Sequence, residues 1–362
     1  MASIKRRPDG QWRARYRDDA GKEHAKHFAR KVDGQRWLDD VTAAIVTHQY
    51  VDPRSGKITF RQYAEQWRSV QVHRPSTQEH VEAKLRRYVY PVLGDRPMSS
   101  IRASNIQALI KRLSEQLAPS TAGVVHKIVS SVFRAAVRDR VIAYSPCDGI
   151  KPPKVTKSRI EPLDTEVVLA LADTVPDRYR ALVILAAGTG MRQGECFGLT
   201  VDKIDFLRRT VHVEQQLVTV TGRAPFLAPP KTAASVRSIP LPTVVVDGLA
   251  SHLAKYPALD GFVFTTEVGH LIHRTVFGRM WRRTAPGVRF HELRHYYASL
   301  LIRHGESVKV VQSRLGHASA SETLDTYSHL WPDSDDRTRT AVDLVLSADS
   351  VRTKEVIDGR NP

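Results

Sequence analysis

Apolar and polar positions alternate along this chain in different rhythms, and each rhythm marks a segment. In residues 11–16, Trp12, Ala14 and Tyr16 fall on one side while Arg13, Arg15 and the following Arg17 fall on the other. That two-residue period predicts a strand. Pro8-Asp9-Gly10 and Asp18-Asp19-Ala20-Gly21 read as turns on either side of it. Residues 24–28 fit a further strand. Residues 34–47 shift to the helical period, with Trp37, Val41, Ala44 and Ile45 on one face.

After a linker at 53–57 the helical period continues to about residue 149. It predicts helices over 60–70, 77–89, 104–116 and 121–140, with a break at the prolines of 91–97. In the last helix Val125, Ile128, Val132 and Phe133 make a buried face, and Lys127, Arg134 and Arg138 lie outside. The segment KPPKVTKSRI at 151–160 joins two helix-blocking prolines to four basic residues and is the clearest linker in the chain. Beyond it, helices are expected at 164–171, 178–187, 274–283, 292–304, 307–315 and 321–328. Strands are expected at 211–219 and 236–241, with Lys231 in the polar segment between them. An amphipathic helix over 337–348 and a polar, disordered tail over 349–362 complete the pattern. The fold class is therefore multidomain and mainly α. A small β-sheet plus helix module occupies 1–50, a helical module 58–149, a basic linker 151–160, a mainly α domain with a small inserted sheet 161–330, and a C-terminal helix and tail 331–362.

Charge changes this picture from architecture to partner. The 362 residues carry 55 Lys and Arg against 38 Asp and Glu, a formal net charge of +17. The excess is spread along the chain, which favours a polyanion, nucleic acid above all. Arg13, Arg15 and Arg17 on the first strand, Lys84, Arg86 and Arg87 on the second helix of the helical module, Lys127 and Arg134 on its last helix, and Lys154 and Lys157 in the linker are candidate DNA contacts. Each of these sets could equally be a solvated face. Cys147 and Cys196 are the only cysteines, form no CxxC pair and point to no disulfide framework or zinc cluster. The basic N-terminus is followed by no apolar signal-peptide core, and the apolar run 181–187 is too short to span a bilayer. A cytoplasmic protein, associated with the nucleoid and not with a membrane, is expected.

The chemistry lies in a spaced set of cations that ends in a tyrosine. Arg192 stands in GTGMRQGECFGL, Lys231 in PPKTAASVRSIPL, His291 and Arg294 in HELRHYYASLL, His317 in LGHAS and Tyr327 in TLDTYSHL. His291 and Arg294 share a helical face at a separation of three, and His295 and Tyr296 are expected to point elsewhere. Gly188 and Gly190 let the backbone approach a ligand, and Arg192 would open the next helix facing the same space. Arginine suits a phosphate because its fork matches two oxygens and stays charged. Tyr327 can form a covalent phosphoester that conserves the energy of a broken DNA bond, so religation needs no ATP. Lys231 fits a general acid for a departing 5′ oxygen, with Lys203 as an alternative nearby. His291 and His317 fit proton transfer and hydrogen bonds to the transition state. Glu195 fits an orienting partner for Arg192. No carboxylate cluster for Mg²⁺ is visible among these residues, so no metal and no cofactor is expected.

The same segments, in this order, resemble the tyrosine recombinase (phage integrase) family. The resemblance implies that Arg192, Lys231, His291, Arg294, His317 and Tyr327 are the active-site positions. It is strongest over about 161–330. The helical module resembles the family's core-binding domain, and residues 1–50 its arm-binding domain. It further implies a homotetramer on double-stranded DNA with core-type and arm-type sites, a 3′-phosphotyrosyl intermediate, a Holliday junction, and docking of the C-terminal helix on a neighbouring protomer. Accessory DNA-bending and directionality factors are possible partners. Three other readings compete with an integrase of a phage or mobile element. One is a type IB topoisomerase, one a Xer-type dimer-resolving recombinase, and one a non-catalytic DNA-binding regulator. The arm-like N-terminus and the HxxR…LGH pattern weigh against the first, the arm-like N-terminus against the second, and the complete catalytic set against the third.

Overall fold

In a computed structural model of the chain, the described residues are 2–18, 21–47, 50–52, 54–156, 159–331, 338–340 and 342–346. The chain divides into two units, Met1–Lys157 and Ser158–Pro362.

The first unit opens with an antiparallel sheet of β1 (Ser3–Arg6), β2 (Trp12–Arg17) and β3 (Glu23–Phe28), in the order β1-β2-β3. The strand β1, to which the periodicity assigns nothing, pairs along β2 so that Lys5, Arg13 and His27 lie side by side. Ala14 and Tyr16 are buried beneath α1 (Lys31–Val46), together with its Leu38. Strand alternation therefore sends Arg13, Arg15 and Arg17 to the opposite face.

The helical part of this unit contains α2 (Phe60–Ser69), α3 (Pro75–Lys84), α4 (Tyr90–Leu93), α5 (Ala103–Gln116) and α6 (Pro119–Arg138). Thr59 and Gln62 close a reciprocal cap on α2. The break expected at Pro91 is displaced, because helical structure runs on to Leu93. A single π turn, Leu85–Val89, precedes the proline. The wider turn accommodates a residue that has no N–H to donate and would clash with the carbonyl four residues back. Phe60, Leu85, Leu93, Leu109, Val129 and Phe133 form the centre of the core.

The second unit contains α7 (Thr165–Thr174), α8 (Arg180–Thr189), α9 (Gln193–Phe197), β4 (Ile204–Asp205), β5 (Thr210–Val213), β6 (Gln216–Val218), β7 (Phe226–Ala228) and β8 (Arg237–Pro240). The helices α10 (Thr243–Lys255), α11 (Arg274–Thr284), α12 (Glu292–Arg303), α13 (Val308–Leu315) and α14 (Ala320–Tyr327) follow. The single strand expected over 211–219 is two strands, with β5 pairing β4 and β8 and β6 pairing β7. The helix α10, to which the periodicity assigns nothing, begins with three consecutive valines at 244–246 that favour a strand locally; burial of Val245 and Leu249 decides for the helix. The main core surrounds α8, whose residues 181–187 are buried throughout. A smaller cluster joins Tyr297, Ile302, Val311, Leu315 and Tyr327.

Residues 338–340 and 342–346 are helical, and Val342, Leu344, Val345 and Leu346 are exposed. Arg337, Ala341 and the expected tail over 349–362 lie outside the described residues. No helix among the described residues is long and apolar enough to cross a membrane.

Candidate active site

Two glycines in the left-handed region build the site. Gly190 ends α8 at φ 64°, and Gly316 ends α13 at φ 65°. Such a residue terminates a helix cleanly, and the carbonyls at the very end have no partner in the helix's own ladder. Here two arginines satisfy them. Arg294, on α12, donates from Nη1 to Gly190 O at 2.7 Å and from Nη2 to Leu315 O at 2.6 Å. Arg192, the residue that caps α9, donates from Nη2 to Gly316 O at 3.1 Å. Helix C-termini carry partial negative charge, so they hold guanidiniums in place without neutralising them.

The two arginines differ in their counter-charge. Arg192 Nη1 also reaches Glu195 Oε1 at 2.9 Å and Ser235 Oγ at 3.2 Å. Glu195 is buried, and its second oxygen accepts from Arg237 Nη2 at 2.9 Å. Burial opposes the charged carboxylate, but Arg237 and Arg192 outweigh it and hold its pKa below the ordinary value. Among the described residues no carboxylate pairs with Arg294, which is 3% exposed. Burial and the charges of Arg192 and Arg237 therefore push its pKa down. A guanidinium still stays protonated at neutral pH, so this corner has an unmet demand for an anion.

Tyr327, at the end of α14, is 1% exposed. Burial raises its pKa to about 12, against the opposing charge of Arg294. The His317 ring lies parallel to it at 6.4 Å, and His317 Nδ1 is hydrogen-bonded to Thr323 Oγ1 at 2.8 Å. The Tyr327 hydroxyl meets His295 Nδ1 at 2.8 Å. This corrects the expectation that His295 points away. Residues 291 and 295 are four apart on one helix and share a face, as 291 and 294 do. The His291 ring packs edge-on against the His295 ring at 4.9 Å. His291 keeps an exposed side, while burial of the rest of the ring, then His295, Arg294 and Arg192, lower its pKa to about 4. Burial, then Arg294, Arg192 and Arg237, lower that of His317 to about 3. Both imidazoles are thus neutral at physiological pH.

Arg192, His291, Arg294, His317 and Tyr327 therefore come together as expected, and Glu195 holds Arg192 as expected. Lys231 stands exposed in the segment between β7 and β8, shortly before Ser235. Lys203 pairs with Glu214 at 2.8 Å and with Asp202 at 3.4 Å. Arg237, Ser235 and His295 escaped the sequence reading. Arg237 follows Lys231 in the same PPKTAASVRSIPL segment, and its burial against Glu195 is the signal that marks it.

The ten candidate DNA contacts belong to the first unit. Arg13 and Arg15 share Glu23, at 3.3 and 3.6 Å, while Arg17 is exposed. Lys84 and Arg87 flank the Tyr88 ring, and Arg86 pairs with Glu82. Lys127, Arg134 and Lys154 are exposed, and Lys157 lies outside the described residues. A cation could be considered only at Asp18, His24 and Asp52 among the described residues. There His24 Nε2 lies 2.7 Å from Asp18 and Lys22 Nζ 2.8 Å from Asp52, so hydrogen bonds already serve these groups.

Residues 160–333 match the model of the phage integrase family, and residues 60–153 match that of the phage integrase central domain. The chain belongs to the phage integrase, or tyrosine recombinase, family. A tyrosine recombinase XerC-like protein of Caldanaerobacter subterraneus subsp. tengcongensis is 28% identical over 294 residues, 72% of this chain and 75% of that protein. The integrase of Mycobacterium phage D29 is 23% identical over 320 residues, 81% of this chain and 83% of that one. The Tn1549 transposon integrase, solved with circular intermediate DNA, is 25% identical with a TM-score of 0.65, covering 80% of this chain and all of that one. This tyrosine recombinase is a site-specific DNA recombinase, an enzyme that cleaves and rejoins DNA through a tyrosine.

One consequence for stability follows from the Glu195 pairs. Glu195→Gln leaves Arg192 and the buried Arg237 without their shared carboxylate, which should cost roughly 3 kcal/mol. Because the carboxyl pKa is depressed on folding, its contribution is present above the ordinary carboxylate range and is lost as pH falls through the lower folded value. Thermal unfolding should therefore show a lower transition for the variant at neutral pH and a gap that narrows in acid. A gap independent of pH would contradict this account.

Proposed function

We propose that Tyr327 attacks the scissile phosphate of one DNA strand, forming a 3′-phosphotyrosyl bond and releasing a 5′ hydroxyl. Arg294 and Arg192 bind the phosphate oxygens and stabilise the charge of the pentavalent transition state. His291 and His317, neutral as the reaction begins, hydrogen-bond to that transition state. Lys231 protonates the departing 5′ oxygen once DNA draws its loop inward. The observation that carries this reading is a buried phenol set beside a buried arginine that has no carboxylate partner among the described residues.

In this reading residues 58–149 grip the core-type site and the linker 151–160 tracks the backbone between domains. The catalytic domain is 161–330. The exposed apolar residues Val342, Leu344, Val345 and Leu346 would dock on a neighbouring protomer. A homotetramer would exchange strands in two rounds through a Holliday junction, integrating or excising a phage or mobile element, with DNA-bending and directionality factors as further partners. Strand exchange between two attachment-site duplexes, in EDTA and without nucleotide, tests this. Recombinant strands and a junction intermediate are expected. Failure on duplexes that the protein demonstrably binds would contradict it.

Residues 1–50 are proposed to read arm-type sites through the face carrying Arg13, Arg15 and Arg17. Deleting residues 1–55 should leave cleavage of a core-site duplex within about threefold, since phosphate contacts of the remaining domains persist. Integration at sites with arm sequences should fall much further. Unchanged integration would remove the arm-reading role.

A further inference from the structure

The hydroxyl of Tyr327 has one hydrogen-bonding side-chain partner among the described residues, His295 Nδ1 at 2.8 Å. His295 belongs to α12, directly after Arg294, and its ring meets the Tyr327 ring edge-on at 5.6 Å. Of the two candidate imidazoles, His291 packs its ring against His295, and His317 faces the Tyr327 ring in parallel with its Nδ1 engaged by Thr323. His317 is thus arranged to stack beside the phenol, whereas His295 is arranged to exchange a proton with it. We infer that His295 is a further catalytic residue, the group that takes the phenolic proton of Tyr327 as the tyrosine attacks. The inference rests on the reading of Tyr327 as nucleophile.

His295 begins neutral, with its proton on Nε2 and the Nδ1 lone pair accepting from the Tyr327 O–H. As the Tyr327 oxygen forms its bond to phosphorus, the proton passes to Nδ1 and the bond from phosphorus to the 5′ oxygen breaks. Its electron pair leaves with that oxygen, which is protonated by the general acid. In religation the 5′ hydroxyl attacks, the bond from phosphorus to Tyr327 breaks, and His295 returns the proton to the phenolate.

The surroundings keep the His295 ring uncharged and ready to accept, without strengthening it as a base. Burial, then the charges of Arg294 and Arg289, lower the His295 pKa, with Glu292 opposing. The groups facing the pair are His291 and Arg294 on α12, Arg289 before it, Glu322 on α14, and His317. A phenol whose pKa is about 12 cannot be its own nucleophile at neutral pH and needs a base at hydrogen-bond distance.

The experiment is single-turnover formation of the covalent adduct at saturating protein, on a nicked attachment-site duplex. Two versions of the duplex are used, one with an ordinary phosphodiester and one with sulfur in place of the 5′ bridging oxygen, whose departure needs no acid. His295→Asn keeps an acceptor near the Nδ1 position but cannot take a proton. It should slow adduct formation by roughly 100-fold on both duplexes, the lower end of a general base's contribution. Its rate should climb with pH as the phenol ionises unaided, while the wild-type rate stays flat through the neutral range. His295→Ala with added imidazole should recover part of the lost rate, which a merely structural role would not allow. A rate within threefold of wild type, or slowing that vanishes on the sulfur duplex, would overturn the role. If His295→Asn fails to fold, the imidazole arm decides alone: no rescue overturns it. A persistent adduct in Tyr327→Phe would instead sink the nucleophile reading itself, and so is distinguishable from failure of the role of His295.

Discussion

Tyr327→Phe should bind an attachment-site duplex as tightly as the wild type and form no covalent adduct with it. The ring is 1% exposed and belongs to the cluster with Tyr297, Ile302, Val311 and Leu315. Phenylalanine fills the same volume, so the apolar packing survives. Only the hydroxyl goes, and with it the hydrogen bond to His295. That loss costs about 1 kcal/mol in stability, far too little to unfold the unit. Nucleophilic chemistry, by contrast, has no substitute at this position. A gel-shift titration beside a denaturing gel of a nicked duplex separates the two effects. A residual adduct in the variant would move the nucleophile to another side chain.

The second large effect is expected at Arg294. Arg294→Lys keeps a positive charge but loses the fork that reaches Gly190 O and Leu315 O together. One ammonium cannot span the ends of α8 and α13 and also meet a phosphate. Loss of a preorganised transition-state contact of this kind costs about 10²–10³-fold in rate. A carbonyl left unsatisfied inside the protein costs about 1–3 kcal/mol in stability. Arg192→Lys should be milder in stability, because Arg192 is about one-third exposed and Glu195 retains Arg237. Single-turnover rates at saturating protein, paired with thermal melts, test the contrast. Equal losses of stability at the two positions would contradict the view that Arg294 alone is the buried clasp between the helix ends.

The positions legible in the sequence are those where local chemistry and tertiary role coincide. The helices expected at 178–187 and 307–315 stop just before Gly190 and Gly316, and each of these glycines sits at φ near 65° in the fold. Tyr327 and the pair His291 and Arg294 were legible because their residue types are unusual together in a chain of net charge +17. His295 was misread because only the three-residue separation was followed, although a separation of four also faces the same way. Arg237 was invisible because nothing local distinguishes an arginine on a strand that turns inward from one that turns out. Its burial is set by Glu195, which lies 42 residues earlier. The strands β1 and β7 and the helix α10 were missed for a related reason. Such elements take their conformation from partners outside their own residues, as β7 does from the neighbouring β6 and α10 from the more distant α8. The π turn before Pro91 shows the reverse, a local signal overridden by a local adjustment that leaves Leu93 in the core.

The central claim is that Tyr327 becomes covalently bound to DNA. The most direct measurement is mass spectrometry of the adduct trapped on a nicked duplex in EDTA, after digestion with trypsin and nuclease. Cleavage after Arg314 and Arg337 releases a peptide in which Tyr327 is the only tyrosine. The account predicts a nucleotide mass on that peptide, with fragment ions placing it on Tyr327. A nucleotide on any other residue of the chain would contradict it.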